Sequence, residues 1–151
     1  PVLVAGYLGL AAGWVVAAGL AVTCGHNWSI YLRFTGGRGI STSLGVMAIL
    51  APWVFLTMLA CLAFGRFTKT PALSIGVGLA ISPFLARMCR LSPEAIIACG
   101  GLAGLIFIKR ILANDPHLGT HGDWGRVLLY RILYDRDIAD AKAWINRKPD
   151  S

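Results

Sequence analysis

His26-Asn27-Trp28-Ser29-Ile30-Tyr31-Leu32-Arg33-Phe34-Thr35-Gly36-Gly37-Arg38-Gly39-Ile40-Ser41-Thr42 is the one long interruption between strongly apolar runs near the start of the chain. It holds a histidine, two arginines, and glycine at three of the four positions 36–39. Glycine tolerates φ > 0, so successive backbone amides can turn toward a common point. Arg38 puts a permanent cation and a fork of donors there. A nest of amides around an arginine suits a phosphate or carboxylate. A plainer reading fits the same residues: the glycines let helices pack closely and the arginine sits at the water interface. Both stay open on the residues alone.

Outward from this loop the chain is apolar. Of 151 residues, 56% are hydrophobic and only 14% charged, with a mean hydropathy of +0.67. A soluble domain carries about 25% charged residues, so the composition points to a membrane protein. Before residue 113 there are eight basic residues and one acid, Glu94, a net +7. From 113 onward, six basic residues face six aspartates. The net charge therefore sits at the ends of apolar runs, where anionic headgroups and an anionic substrate would meet it. Membrane lipids are expected partners and nucleic acid is not.

Four apolar segments are expected to build an all-α, polytopic integral membrane bundle over residues 1–112. Val2–Cys24 and Thr42–Gly65 are each long enough to span a roughly 30 Å hydrocarbon core. Pro52 lies inside the second. Pro71–Met88 is a shorter run with Pro83 near its end, and Ala95–Ile108 has only 14 residues, which suits a re-entrant or tilted helix as well as a crossing one. The basic residues are spread too evenly among the connections for charge to fix the topology. The chain opens on Pro1-Val2 within an apolar run, so it is expected to be a fragment whose natural start lies upstream.

Residues 113–151 read as a short amphipathic helical tail. Asn114-Asp115-Pro116 is a turn signal. Asp123 is expected to cap a helix starting at Trp124, and Asp135 or Asp137 a second piece carrying Ile138, Ala141, Trp144 and Ile145. Tryptophan and tyrosine among arginines suit a helix in the headgroup layer. A soluble amphipathic hairpin docked on the membrane part suits them too. Glu94, after Ser92-Pro93, is expected in the first turn of a helix rather than as a base. Cys24, Cys61, Cys89 and Cys99 have no metal spacing and are expected to pack as small buried residues. His117 and His121 lack a third ligand, so no metal is expected.

The run Gly25 to Thr42, followed by Leu44-Gly45, resembles the second signature of the bacterial acyl-phosphate:glycerol-3-phosphate acyltransferases, the PlsY family. That signature is roughly G-H-x-F-P-x-F-L-x-F-x-G-G-K-G-V-A-T followed by L-G. His26, Leu32, Phe34, Gly36, Gly37, Gly39 and Thr42 fall in place without a gap. The resemblance implies a small bacterial inner-membrane, multi-pass enzyme without metal or cofactor. It implies transfer of a fatty acyl group from acyl phosphate to the sn-1 hydroxyl of glycerol 3-phosphate, giving lysophosphatidic acid for phospholipid biosynthesis. By that resemblance His26 and Arg38 are the catalytic candidates. Gly36, Gly37, Gly39, Thr42, Arg66 and Arg110 are the candidates for substrate and phosphate binding. His26 is expected to orient the loop or a substrate oxygen, and the apolar spans to accept the acyl tail.

Three departures stand out. Arginine replaces the family's lysine at position 38. Arg66-Phe67 with Thr68, Thr70 and Ser74 only approximates the family's Arg-Tyr followed by serines. In the third signature, roughly H-x-x-N-I-x-R-L, Ile108 and Arg110-Ile111 fit, but Gly104 and Phe107 stand where histidine and asparagine belong. The first signature is expected upstream of Pro1. The alternatives are a non-catalytic relative that binds phosphate or lipid headgroups, and an unrelated small transporter or structural bundle whose loop is a re-entrant turn.

Overall fold

A computed structural model describes residues 1–112 and 124–136. Among them there is no strand. Seven α-helices follow in order: α1 (Val2–Tyr7), α2 (Ala12–Asn27), α3 (Ile40–Leu50), α4 (Pro52–Phe67), α5 (Pro71–Met88), α6 (Pro93–Leu112) and α7 (Trp124–Tyr134), with a 3₁₀ turn at Ile30–Leu32 between α2 and α3.

Two of the expected spans are broken. Val2–Cys24 is not one helix: Gly9 takes φ +67°, a left-handed conformation that closes α1, and Leu10 donates its N–H back to the Ala5 carbonyl at 3.2 Å. Ala11 is then extended and α2 starts afresh. Thr42–Gly65 divides at Ala51, whose φ of −147° and ψ of 65° lie outside the helical region. Crowding by the Pro52 ring disfavours helix at the preceding residue, and Pro52 becomes the first residue of α4.

The third run holds. α5 covers Pro71–Met88 and continues through Pro83. Proline has no N–H for the Leu79 carbonyl four residues back, and the Ser82 hydroxyl donates to that carbonyl at 2.8 Å. The fourth run is longer than expected. α6 extends over 20 residues because Ser92 Oγ accepts the Ala95 N–H, Pro93 and Glu94 form the first turn, and Lys109 and Arg110 prolong the last. α5 and α6 are thus long and apolar enough to cross a membrane, while α3 and α4 are shorter apolar helices.

α6 is the centre of the packing, with α2, α3, α5 and α7 against it. Leu102 and Ile106 are fully buried among Met47, Val54, Met58, Ile75 and Leu79. Leu20 of α2 lies over Gly101, and a Cβ there would come within 2.8 Å of it. α4 and α5 form a tight hairpin at Gly65, where a Cβ would stand 2.7 Å from Pro71 Cα. Of the cysteines, Cys99 is buried and Cys61 half-buried. Cys24 and Cys89, at helix ends, are exposed, so only the first two pack as expected.

α7 packs on α5 and α6, and Arg131 is buried with Nη1 donating to the Ile111 carbonyl at 2.9 Å. Asp123, His117, His121 and the segment from Asp137 lie outside the described residues.

Candidate anion site

The loop between α2 and α3 is pressed onto the last turn of α2. The Gly37 N–H donates to the His26 carbonyl at 3.1 Å. A Cβ at Gly36 would collide with the His26 and Asn27 carbonyl oxygens, and one at Gly37 with His26 Nε2. A Cβ at Gly39 would strike the Asn27 side-chain amide. Gly39 also has φ +70° and is the N-cap of α3. The glycines therefore serve a close approach of loop to helix end, not helix-to-helix packing. The Gly37 amide is engaged inside the loop. The first amides of α3, beginning at Ile40, have no intrahelical partner. Thr42 fixes that turn through its hydroxyl, which donates to the Gly39 carbonyl at 2.9 Å.

The approach to the glycines is strained. Arg33 and Phe34 have φ of 50° and 65°, uncommon for residues with a Cβ. The Phe34 N–H donates to the Ser29 carbonyl at 2.8 Å, and Lys109 Nζ donates to the Phe34 carbonyl at 3.5 Å. Lys109 is only 4% exposed and lies 5.3 Å from the centre of the Trp28 ring, a cation–π placement.

Two further groups close the site. Arg38 Nη1 donates to Asp135 Oδ1 in an ion pair that ties the loop to the end of α7. Arg110, 1% exposed, donates from Nη1 to the Ile132 carbonyl at 2.7 Å and from Nη2 to the Ala72 carbonyl at 2.9 Å. Arg110 and Arg131 thus exchange partners: the α6 arginine satisfies a carbonyl of α7, and the α7 arginine one of α6. Each puts a cation at a helix C-terminus, where carbonyls lack partners. Arg38 lies within electrostatic reach of Lys109, and Arg38, Arg110 and Asp135 of one another. Burial holds the Asp135 carboxyl above its ordinary range, against the opposing pull of Arg38 and Arg110. A cavity of about 300 Å³ opens beside it, lined by Lys69, Thr70, Tyr134, Asp135 and Arg136 among others.

The sequence profile of the glycerol-3-phosphate acyltransferase family matches residues 1–114. The chain belongs to that family. Two curated relatives, glycerol-3-phosphate acyltransferases 4 and 5 from two strains of Dehalococcoides mccartyi, are 36% and 35% identical over 97% of this chain. The alignments cover 66% and 65% of those relatives, so the chain spans slightly less than two thirds of their length. Glycerol-3-phosphate acyltransferase 1 of Deinococcus radiodurans is 44% identical over a shorter stretch, 45% of this chain and 36% of the relative. No solved structure matches.

Of the site residues expected in this acyltransferase-family chain, the structure gathers His26, Gly36, Gly37, Arg38, Gly39 and Thr42 in the loop and brings Arg110 to it. Arg66 is exposed in the last turn of α4. Lys69, three residues on, lines the cavity instead. Sequence reasoning missed Lys109 and Asp135 as site residues. Lys109 was visible as the cation beside Arg110. Asp135 gave no local signal, since 97 positions separate it from Arg38.

Proposed function

We propose that this chain carries out acyl transfer from acyl phosphate to the sn-1 hydroxyl of glycerol 3-phosphate at the bacterial inner membrane. The observation that carries the reading is the gathering of Arg38, Lys109 and Arg110 around the glycine loop in a chain of this family. Glycerol 3-phosphate is a phosphomonoester and acyl phosphate a mixed anhydride of a fatty acid and phosphoric acid, so each carries a terminal phosphate, and three cations suit two such groups held side by side. Acyl phosphate is already activated, so no covalent enzyme nucleophile is required. The glycerol hydroxyl oxygen forms a bond to the acyl carbon, the bond from that carbon to the phosphate oxygen breaks, and the hydroxyl proton leaves with the phosphate. Holding the partners together and stabilising the developing charge supply the catalysis. Arg38 and the first amides of α3 bind phosphate, and His26, whose ring bears on Gly37, sets the loop. Residues 1–112 act as a multi-pass membrane domain and 113–151 as a tail at its surface. Large exposed apolar side chains support the membrane reading, among them Trp14, Trp53, Phe84 and Ile97 on four different helices.

A non-catalytic phosphate- or headgroup-binding relative is the second reading. It is favoured by Gly104 and Phe107, which leave two polar groups out of the third signature; Phe107 here lies against Arg110, 5.7 Å from ring centre to Cζ. Purified chain supplied with acyl phosphate and glycerol 3-phosphate is expected to release phosphate and form lysophosphatidic acid, and Arg38→Ala to abolish both. Phosphate binding without turnover would move the chain to the second reading.

A further inference from the structure

The ion pair between Arg38 and Asp135 is at odds with a simple phosphate site: a carboxylate of the chain itself occupies the arginine that should receive substrate. The structure gives the reason a specific form. Arg38, Lys109 and Arg110 contribute three positive charges, and among the described residues Asp135 pairs with Arg38 and lies within electrostatic reach of Arg110. It is brought there from outside the segment matched by the family profile, which ends at residue 114. Its position is held by the exchange of Arg110 and Arg131 between α6 and α7, which fixes the last turn of α7 at the Ile111 and Ile132 carbonyls. Asp135 itself has φ +59°, a left-handed turn out of the helix that points its carboxylate to the loop.

Resting on the acyltransferase reading of this site, we propose that Asp135 is a specificity-determining residue that admits phosphomonoester dianions and rejects monoanions. A tethered carboxylate is present at Arg38 at high effective concentration. A free monoanion that takes its place exchanges one negative charge for another and gains little. A phosphomonoester carries between about −1.5 and −2 at neutral pH, so it draws more strongly on three cations and displaces or shares with the carboxylate. The membrane makes this distinction useful. Phospholipid diesters are monoanionic phosphates, abundant at the surface where the site lies, and they would otherwise fill it. Specificity then rests on a competitor built into the protein as well as on attraction to the right ligand.

The test is anion binding to the purified chain in detergent, by titration calorimetry at about pH 8, with inorganic phosphate as the dianion and dimethyl phosphate as the phosphodiester monoanion. Wild type is expected to prefer phosphate by at least about tenfold, and Asp135→Asn to shrink that preference by about tenfold through tighter dimethyl phosphate binding. Asp135→Glu keeps the charge and is expected to keep the preference. In wild type alone, phosphate and not dimethyl phosphate is expected to raise the melting temperature, which stands even if the asparagine variant does not fold. An unchanged preference in Asp135→Asn, a lost preference in Asp135→Glu, or equal binding of the two anions by wild type would each overturn the inference. Acyl transfer is assayed separately. Its absence with the preference intact removes the enzyme reading and leaves Asp135 its role. Its presence with a preference indifferent to Asp135→Asn removes only the inference.

Discussion

The two sides of the candidate anion site are put together by opposite means. The loop side, Gly36 to Gly39, works by omission: side chains are absent so that the backbone can lie against His26 and Asn27. The tail side works by addition, with long cations on two helices each reaching a carbonyl of the other and a carboxylate closing on the loop. The first construction is local and tolerates no added atom. The second is assembled across the fold and depends on groups that must not be removed. Adding bulk on one side and deleting it on the other therefore probe the same site from two directions.

Arg110→Ala is the most damaging change expected. It leaves the part-buried Ala72 and Ile132 carbonyls without their donor and removes a buried cation, at a cost of about 3 kcal/mol. Denaturation in detergent checks this, and Arg110→Lys should recover only part, since one ammonium does not reproduce the fork. Gly39→Ala probes the other side. A left-handed φ and contact with the Asn27 amide predict a loss of about 1–3 kcal/mol, together with loss of phosphate binding by titration. If Arg110→Ala spares phosphate binding while Gly39→Ala abolishes it, the tail is scaffold and the contrast fails. Arg131→Ala is milder, about 1–2 kcal/mol, and should expose α7 to proteolysis before the rest of the chain. The smallest effect is in pH. Burial raises the Asp135 carboxyl in the folded state, so that state binds more protons than the unfolded one between the ordinary carboxylate value and the raised one. Its contribution to stability is therefore full below that window and is lost as pH rises through it. The melting difference between wild type and Asp135→Asn should move in that direction, and a difference flat across the acid range would show that Arg38 and Arg110 cancel the burial.

How much of this was legible in the sequence depended on whether the deciding contact was local. The glycine loop could be read because its residues are adjacent and its pattern is long. The two prolines show the limit. Both lie inside apolar runs, yet Pro52 starts a helix and Pro83 rides within one. The difference visible in the structure is the preceding residue: Ser82 supplies a hydroxyl to the carbonyl that proline leaves unpaired, while Ala51 has none to offer and leaves the helical region. A serine before proline was thus a signal that could have been used. The length of α6 was underestimated because Lys109 and Arg110 read as the end of an apolar run. Both are buried and continue the helix, their charges taken up by carbonyls of the loop, α5 and α7. Asp135 could not have been placed at Arg38 without knowing that α7 returns to the bundle.

The arginine exchange between α6 and α7 also sets an order of events in the life of the chain. A polypeptide is made from its N-terminus, so the loop, Lys109 and Arg110 exist before Arg131 and Asp135 have been synthesised. During that interval Arg38, Lys109 and Arg110 share one end of the bundle before Asp135 is there to face Arg38 and Arg110. Ambient anions, headgroups included, add counter-charge there until the last turn of α7 arrives. The docking of α7 is then a closing step of biogenesis, and the growing chain is a cation at that end of the bundle before Asp135 pairs with Arg38.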